Sequence, residues 1–245
     1  MKADPQVQRR LLDLQAIDTA LAQLAHRRRT LPERAELEAL AREISALEDE
    51  RVRAQVAVDD LDRDIARQEK DIEQVRARKS KDEARLAAGT GPARELEALQ
   101  HELVSLNRRQ SDLEDAELEL MEQRETAQGV LDGIERRMAE ARDRRAAAEQ
   151  RRDESLAEIA KEEEFKRSAR QPLANDLPAD LVTLYNRIRE DTGLGAALLT
   201  AARCGGCRLE LSGADLARIR KADPDEVVRC EECRRIMVRT SESGL

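Results

Sequence analysis

Four cysteines near the carboxyl end of the chain are the residues whose types and spacing could do chemistry. They form two Cys-x-x-Cys pairs, at 204–207 and 230–233, and the chain has no other cysteine. Two thiolates three residues apart can bind one metal ion when the backbone turns tightly, and Gly205 and Gly206 favour such a turn. Two pairs complete a tetrahedral four-sulfur site, which suits Zn²⁺. The spacing therefore predicts one structural zinc ion per chain, held by Cys204, Cys207, Cys230 and Cys233.

A redox-active dithiol pair is the alternative interpretation of these cysteines, but the sequence lacks the βαβ pattern in which such motifs occur. Four sulfur ligands would leave zinc no open position for water or substrate. The sequence contains no Ser-His-Asp set, phosphate-binding glycine loop or HExxH motif, and His26 and His101 are interpreted as surface residues. We therefore expect a protein that is not an enzyme and has no small-molecule substrate.

The composition indicates what kind of chain positions this site. Charged residues make up 39% of the 245 residues and aromatic residues only 1%, which excludes a thick globular core. Apolar residues make up 40%, too many for a disordered chain, and they are mostly the Leu, Ala, Ile and Val typical of long helices. No apolar run could span a membrane and the amino terminus lacks a signal core, so we expect a cytoplasmic protein without membrane contact.

Two long stretches without proline, 33–91 and 93–171, predict continuous helices. In both, apolar residues recur at alternating spacings of three and four, which favours a left-handed coiled coil. We call these two rows of residues the seams. The first seam comprises Leu37, Leu40, Ile44, Leu47, Arg51, Ala54, Val58, Leu61, Ile65, Gln68, Ile72 and Val75. The second comprises Leu96, Leu99, Leu103, Leu106, Gln110, Leu113, Glu117, Leu120, Arg124, Ala127, Leu131, Ile134, Met138 and Ala141.

Glycines and a proline at 89–92 predict a turn between these helices, and hence an antiparallel hairpin in which residue i faces roughly residue 181 minus i. A separate helix is expected at 5–29, after which Thr30 and Glu33 match a capping box. The hairpin domain then covers 1–171, with arms at 33–88 and 92–170. A linker at 171–178 leads into a second domain, 172–245, with a short helix and the zinc ribbon. The fold class is mainly α, with a small α+β ribbon.

The ribbon is the expected site of partner binding. Residues 200–245 hold nine Arg or Lys and eight Asp or Glu, whereas the whole chain has a formal net charge of -8. Beside the ribbon, the short helix has an apolar face that either packs on the amino-terminal helix or lines a groove. We predict that a protein partner binds there, with Arg203, Arg208, Arg229, Arg235 and Tyr185 as candidate contacts.

The alternative is a nucleic-acid-binding regulator that uses the ribbon and basic residues at the base of the hairpin. No aromatic residue lies in the ribbon to stack on a base. Salt distinguishes the two hypotheses, because phosphate contacts weaken steeply as the salt concentration rises.

The chain resembles the bacterial C4-type zinc ribbon family, in which a long coiled-coil hairpin precedes a ribbon. The matching segments are Leu12-x-Leu14-Gln15-x-Ile17-Asp18, Leu177-Pro178-x-x-Leu181, Arg203-Cys204-Gly205-Gly206-Cys207 and Val228-Arg229-Cys230-Glu231-x-Cys233. A glycine often follows the second cysteine pair in the family, where this chain has Arg234. The resemblance implies an adaptor or chaperone-like role; one member type serves flagellar assembly and binds an alternative sigma factor and a messenger RNA, and others are linked to secretion machinery.

Overall fold

The structure, a computed structural model, describes residues 1–245 and is mainly helical, with one small sheet. Its elements are α1 (Pro5–Arg29), α2 (Pro32–Ala88), α3 (Ala93–Asn175), α4 (Ala179–Thr192), β1 (Ala196–Thr200), β2 (Arg203–Cys204), α5 (Gly213–Lys221), β3 (Val228–Arg229) and β4 (Ile236–Val238). The predicted fold class is confirmed. None of these helices combines the length and the apolar composition needed to cross a lipid bilayer.

One compact unit, Ala35–Glu149, contains most of α2, the first part of α3 and the turn between them. Every position of the two predicted seams is buried or half-buried in this unit, so the 3-4 repeat is confirmed. Polar seam residues bond across the pair. The side chain of Gln68 donates to the carbonyl oxygen of Leu113 at 2.9 Å, and Arg124 Nε lies 2.9 Å from Asp62 Oδ1. Such residues fix the register of two helices at some expense in stability.

The predicted hairpin turn lies between Ala88 and Ala93, where α2 ends and α3 begins. Gly89 has φ +63, in the left-handed region that favours glycine, and its N–H donates to the carbonyl of Leu86 at 3.1 Å. This is the usual way for a glycine to end a helix. The register predicted for Gln68 and Leu113 follows from this turn.

Two boundary predictions are wrong. Helix α3 runs through Pro172 to Asn175, so residues 171–175 are not a linker. Pro172 has no N–H to bond the carbonyl four residues earlier, so α3 loses one hydrogen bond there, but the carbonyl of Pro172 still accepts from the N–H of Asp176 at 3.0 Å. At the other boundary α2 begins at Pro32, so Thr30 is not its N-cap. The Thr30 hydroxyl instead donates to the carbonyl of His26 at 3.0 Å and closes α1.

The second compact unit joins Met1–Arg34 to Gln150–Leu245. Its sheet has the strand order β2-β1-β4-β3, with β1 parallel to β4 and the outer pairs antiparallel. The core between sheet and helices contains Leu11 and Leu14 of α1, Leu181 and Tyr185 of α4, and Ile236 and Val238 of β4. The boundary expected between 171 and 172 therefore lies inside this unit, since α1 and α4 share one core with the ribbon.

Candidate metal centre and its attachment to the helices

The four cysteine sulfurs meet at one point of the ribbon. All four Sγ atoms lie within 4.8 Å of one another. The Sγ atoms of Cys204 and Cys233 are 3.7 Å apart, and those of Cys207 and Cys230 are 3.9 Å apart. A tetrahedral zinc ion with Zn–S bonds of about 2.3 Å requires S···S separations of about 3.8 Å. The structure thus brings the four predicted ligands to distances that fit a zinc ion.

Both Cys-x-x-Cys pairs adopt the same backbone turn. In the first, the carbonyl of Cys204 accepts from the N–H of Arg208 at 2.7 Å, and the N–H of Cys204 donates to the carbonyl of Leu209 at 3.0 Å. The equivalent bonds of the second pair, 2.9 and 3.0 Å long, join Cys230 to Arg234 and Arg235. The chain therefore builds one turn twice, and each copy directs two sulfurs to the centre.

The glycines of the first pair have a role other than the predicted one. The left-handed residues of the two turns are Arg208 and Arg234, both with φ 63, and neither Gly205 nor Gly206 has a positive φ. A Cβ at Gly205 would lie 2.7 Å from the carbonyl oxygen of Leu198, and one at Gly206 would lie 2.6 Å from Cδ of Arg235. Glycine is needed here for close packing, and Arg234 forms its turn without the glycine frequent in the family.

A small core surrounds the sulfurs. Cys204 lies in β2 opposite Leu199 of β1, and the buried side chains around Cys204 and Cys230 are Leu199, Leu211, Ile219, Val228 and Met237. Helix α5 covers part of this core. Its N-cap is Ser212, whose hydroxyl oxygen accepts from the N–H of Asp215 at 3.1 Å. Because this core is small, a bound zinc ion would add much of the local stability of the two cysteine turns, whereas β1 and β4 also pack in the core shared with α1 and α4.

Burial of the sulfurs controls their ionisation. Desolvation raises the pKa of Cys204 and raises that of Cys230 to about 12. Cys233 is desolvated as well, but hydrogen bonds from the N–H of Arg235 and from the neighbouring thiols outweigh this and lower its pKa. Without metal, Cys204 and Cys230 therefore hold their protons at neutral pH, and a binding zinc ion must displace them.

We expect the zinc affinity of the reduced, metal-free protein to rise steeply with pH. Each proton that zinc displaces changes the affinity about tenfold per pH unit, so two protonated thiols give about 100-fold per unit. Competition with a chromophoric zinc chelator across the neutral range measures this slope. An affinity that does not change with pH would show that the thiols are already ionised in the metal-free protein.

A buried polar cluster attaches the ribbon to the helices. The carboxylate of Asp18 on α1 is only 1% exposed. It accepts hydrogen bonds from Arg170 of α3 at 2.7 and 3.1 Å, from Arg189 of α4 at 3.1 Å and from the hydroxyl of Tyr185 at 2.8 Å. One buried carboxylate thus holds two guanidinium groups and a phenol, and links three helices.

Gln15 extends this cluster to the sheet. Its Oε1 accepts from the backbone N–H groups of Gly195 at 2.7 Å and Ala196 at 3.2 Å, where β1 begins. The hydroxyl oxygen of Tyr185, whose single proton points to the nearer Asp18 carboxylate, lies 3.2 Å from the same Oε1. Burial, together with the Asp18 carboxylate, holds the pKa of Tyr185 well above its usual range. The phenol therefore remains a hydrogen-bond donor, and α1, α4 and β1 are joined through side chains that the fold keeps from water.

Sequence reasoning missed Gln15 and Asp18 as functional residues, although both belong to the matching segment at 12–18. A signal was present. Leu11, Leu14, Gln15 and Asp18 share one face of α1 at spacings of three, one and three, so two polar residues stand in an apolar stripe. A polar residue in an apolar stripe is buried with its neighbours and therefore needs hydrogen-bond partners. Gln15 and Asp18 find them in a buried network.

The five residues predicted to contact a partner differ in burial and in their contacts within the chain. Tyr185 is fully buried, so its prediction as a contact is wrong, because its ring fills the core and its hydroxyl bonds to Asp18. Arg235 is half-buried and donates to the carbonyl of Thr192 at 2.7 Å. Arg203 is exposed and lies 3.5 Å from Glu210. Arg208 is exposed and Arg229 is half-buried, and their side chains form no hydrogen bond or ion pair within the chain.

Known proteins share this architecture. Residues 14–193 match the CT398-like coiled coil hairpin domain, and residues 203–237 match the C4-type zinc ribbon domain. A protein of Mycobacterium tuberculosis is 42% identical over 239 residues, which cover 98% of each chain. A protein of Mycobacterium leprae is 32% identical over 220 residues, which cover 88% of this chain and 93% of that protein.

Solved structures agree with this match. A solved structure from Mycobacterium smegmatis superposes with a TM-score of 0.87 and 37% sequence identity. The superposition covers 98% of this chain and 100% of the Mycobacterium smegmatis chain. CT398 from Chlamydia trachomatis shares the fold with a TM-score of 0.66 and 21% identity, over 95% of this chain and 97% of its own. The chain belongs to the CT398-like coiled coil hairpin family, and its carboxyl-terminal domain is a C4-type zinc ribbon.

Proposed function

We propose that this protein is a non-enzymatic, zinc-binding adaptor with a chaperone-like role, which binds a protein partner through the ribbon and the helices packed on it. The observation that carries the proposal is the buried cluster around Asp18, which joins α1, α3 and α4, while Gln15 extends it to β1. A surface held in one conformation loses little conformational entropy when a partner binds. Accessible arginines on this surface supply the contacts, as arginine commonly does at protein interfaces.

Zinc has a structural role in this proposal. Four sulfur ligands close the coordination sphere, so the ion shapes the surface and does not act on a substrate. We expect elemental analysis of the purified protein to find one zinc ion per chain. Absence of zinc, or the visible absorbance of an iron–sulfur cluster in its place, would contradict this assignment.

Nucleic-acid binding has weaker support. Several basic residues of the ribbon are engaged within the chain: Arg218 lies 2.8 Å from Glu231, and Arg239 donates to the carbonyls of Asp223 and Glu226 at 2.7 Å each. Phosphate binding depends on cations that are free to replace counterions. The remaining arginines alternate with carboxylates, which suits a mixed-charge protein surface better than a polyanion.

The test is affinity capture with the full chain from its native cells, with and without nuclease treatment. We expect a protein partner that is still captured after nuclease treatment. A partner that disappears with the nuclease would favour the nucleic-acid alternative. Capture of the same partner by residues 35–149 alone would show that the hairpin, and not the ribbon with its adjoining helices, is the binding element.

A further inference from the structure

The two Cys-x-x-Cys turns share one backbone but differ in what covers them. Leu209 and Arg235 occupy equivalent positions, since their carbonyls accept the N–H groups of Cys204 and Cys230. Arg235 is half-buried, with its side chain against Gly206 and bonded to the carbonyl of Thr192 at the end of α4. Leu209 is 53% exposed. The second turn is thus covered by the chain's own helix, whereas the first presents a large apolar side chain to solvent.

Arginines flank both turns. Arg203 and Arg208 enclose the first cysteine pair, and Arg229 and Arg234 enclose the second. Arg203 is paired with Glu210, but the side chains of Arg208, Arg229 and Arg234 form no hydrogen bond or ion pair in the chain. Each of these three is the sequence neighbour of a cysteine, and the four cysteine Sγ atoms lie within 4.8 Å of one another, so the three arginine backbones surround one centre. We call Arg208, Leu209, Arg229 and Arg234 the ribbon arginine surface.

Two members of this surface are held at an energetic disadvantage. Arg208 and Arg234 both have φ 63, in a region that is sterically unfavourable for any residue with a Cβ and easy for glycine. Neither arginine side chain makes a hydrogen bond or ion pair within the chain that would offset this unfavourable backbone conformation. Glycine would form each turn more easily, so the fold gives no reason for arginine at either position.

We infer that the ribbon arginine surface binds an acidic segment of a protein partner, with an apolar side chain of that segment on Leu209. This inference rests on the proposed adaptor function and names the chemistry of its partner. Guanidinium groups bind carboxylates in bidentate geometry, and three unpaired ones around a single centre complement a run of acidic residues. An exposed leucine among them provides the apolar contact that interfaces use at their centre.

A nucleic acid fits this surface less well. Glu210 and Glu231 are paired with Arg203 and Arg218, and Glu232 is exposed, so these carboxylates interrupt the basic residues and leave no continuous basic track for a phosphate backbone. No aromatic side chain lies between residues 200 and 245 to stack on a base. A protein segment can place its acidic residues between these carboxylates, since its charges are spaced and its side chains adapt.

The inference is tested with the full, zinc-loaded chain and fluorescein-labelled probes: a synthetic peptide of glutamate and leucine, the same peptide with glutamine for glutamate, and an oligouridylate of equal length. We expect fluorescence anisotropy to show binding of the acidic peptide only. The triple variant R208E/R229E/R234E should weaken that binding at least about tenfold. The matched variant R94E/R108E/R109E, which reverses three exposed, unpaired arginines of α3, should leave it unchanged.

A second variant separates binding from folding. In R208G/R234G each glycine relieves the left-handed backbone, so the zinc content and melting temperature should stay equal or rise, while peptide affinity falls. Wild-type affinity in R208G/R234G, equal losses in the two triple variants, or tighter binding of the oligouridylate would each overturn the inference. The adaptor function would still stand if affinity capture finds a protein partner, because that experiment does not depend on these arginines.

Discussion

Replacement of Cys207 by serine should remove zinc and unfold the ribbon, while the helices of Ala35–Glu149 remain folded. Structural zinc contributes about 10–16 kcal/mol to small four-ligand domains, far more than the few buried side chains around Cys204 and Cys230 can supply. Serine is a poor zinc ligand and leaves the site with three sulfurs. The seams of α2 and α3 bury their own apolar residues, so that unit does not need the metal.

Three measurements check this result together. Elemental analysis should show the loss of zinc, and far-UV circular dichroism should retain most of its helical signal, because α2 and α3 alone contain 57 and 83 residues. Amide hydrogen exchange should locate the unfolding in residues 196–245. Glu232→Gln, an exposed change between the ligands of the second pair, serves as the control and should keep zinc. Collapse of the whole helical signal in Cys207→Ser would refute the independence of the two units.

Replacement of Asp18 by asparagine should lower the free energy of unfolding of the ribbon-bearing unit by about 3–5 kcal/mol. Asparagine keeps the shape of the side chain but removes its charge, which leaves Arg170 and Arg189 partly buried without a counter-ion. The amide can no longer accept from both guanidinium groups and from Tyr185 at once. Breaking a buried ion pair in this way is among the most damaging single substitutions in a protein.

Thermal and urea unfolding followed by near-UV dichroism of Tyr185 report on this unit. Asp13→Asn is the matched control: Asp13 lies on the same helix, is exposed and makes no ion pair, so its loss should change stability by less than about 0.5 kcal/mol. Tyr185→Phe should be intermediate, at about 1 kcal/mol, because it removes one hydrogen-bond donor and leaves the packing. Equal stabilities of the Asp18 and Asp13 variants would show that the cluster does not hold the unit together.

The helices and the cysteine cluster were predictable because their signals are local and repeated. The 3-4 repeat recurs through every turn of both seams, so errors at single positions such as Gln68 or Arg124 do not hide it. The Cys-x-x-Cys spacing likewise predicts a turn from the residues of one short segment. The cap of α5 is equally local, because the Ser212 hydroxyl accepts from a residue only three positions away.

The rest depends on partners distant in the sequence. Asp18 bonds to Arg170 and Arg189, 152 and 171 residues further on, and no local pattern indicates that these side chains will meet. Tyr185 was assigned to a binding surface because nothing in α4 alone shows that α1 covers it. Gly205 was assigned to a turn because the approach of the Leu198 carbonyl is visible only in three dimensions.

The distance in sequence between Asp18 and its cations has a consequence for biosynthesis. At about 5–20 residues per second, roughly 10–30 s pass between the synthesis of α1 and that of its partners. During that interval the apolar face with Leu11 and Leu14 has no sheet or α4 to cover it, and the Asp18 carboxylate stays in water. The hairpin can close on the ribosome from its own seams, but the unit that carries the ribbon is completed last, when the carboxyl-terminal residues emerge and take up zinc.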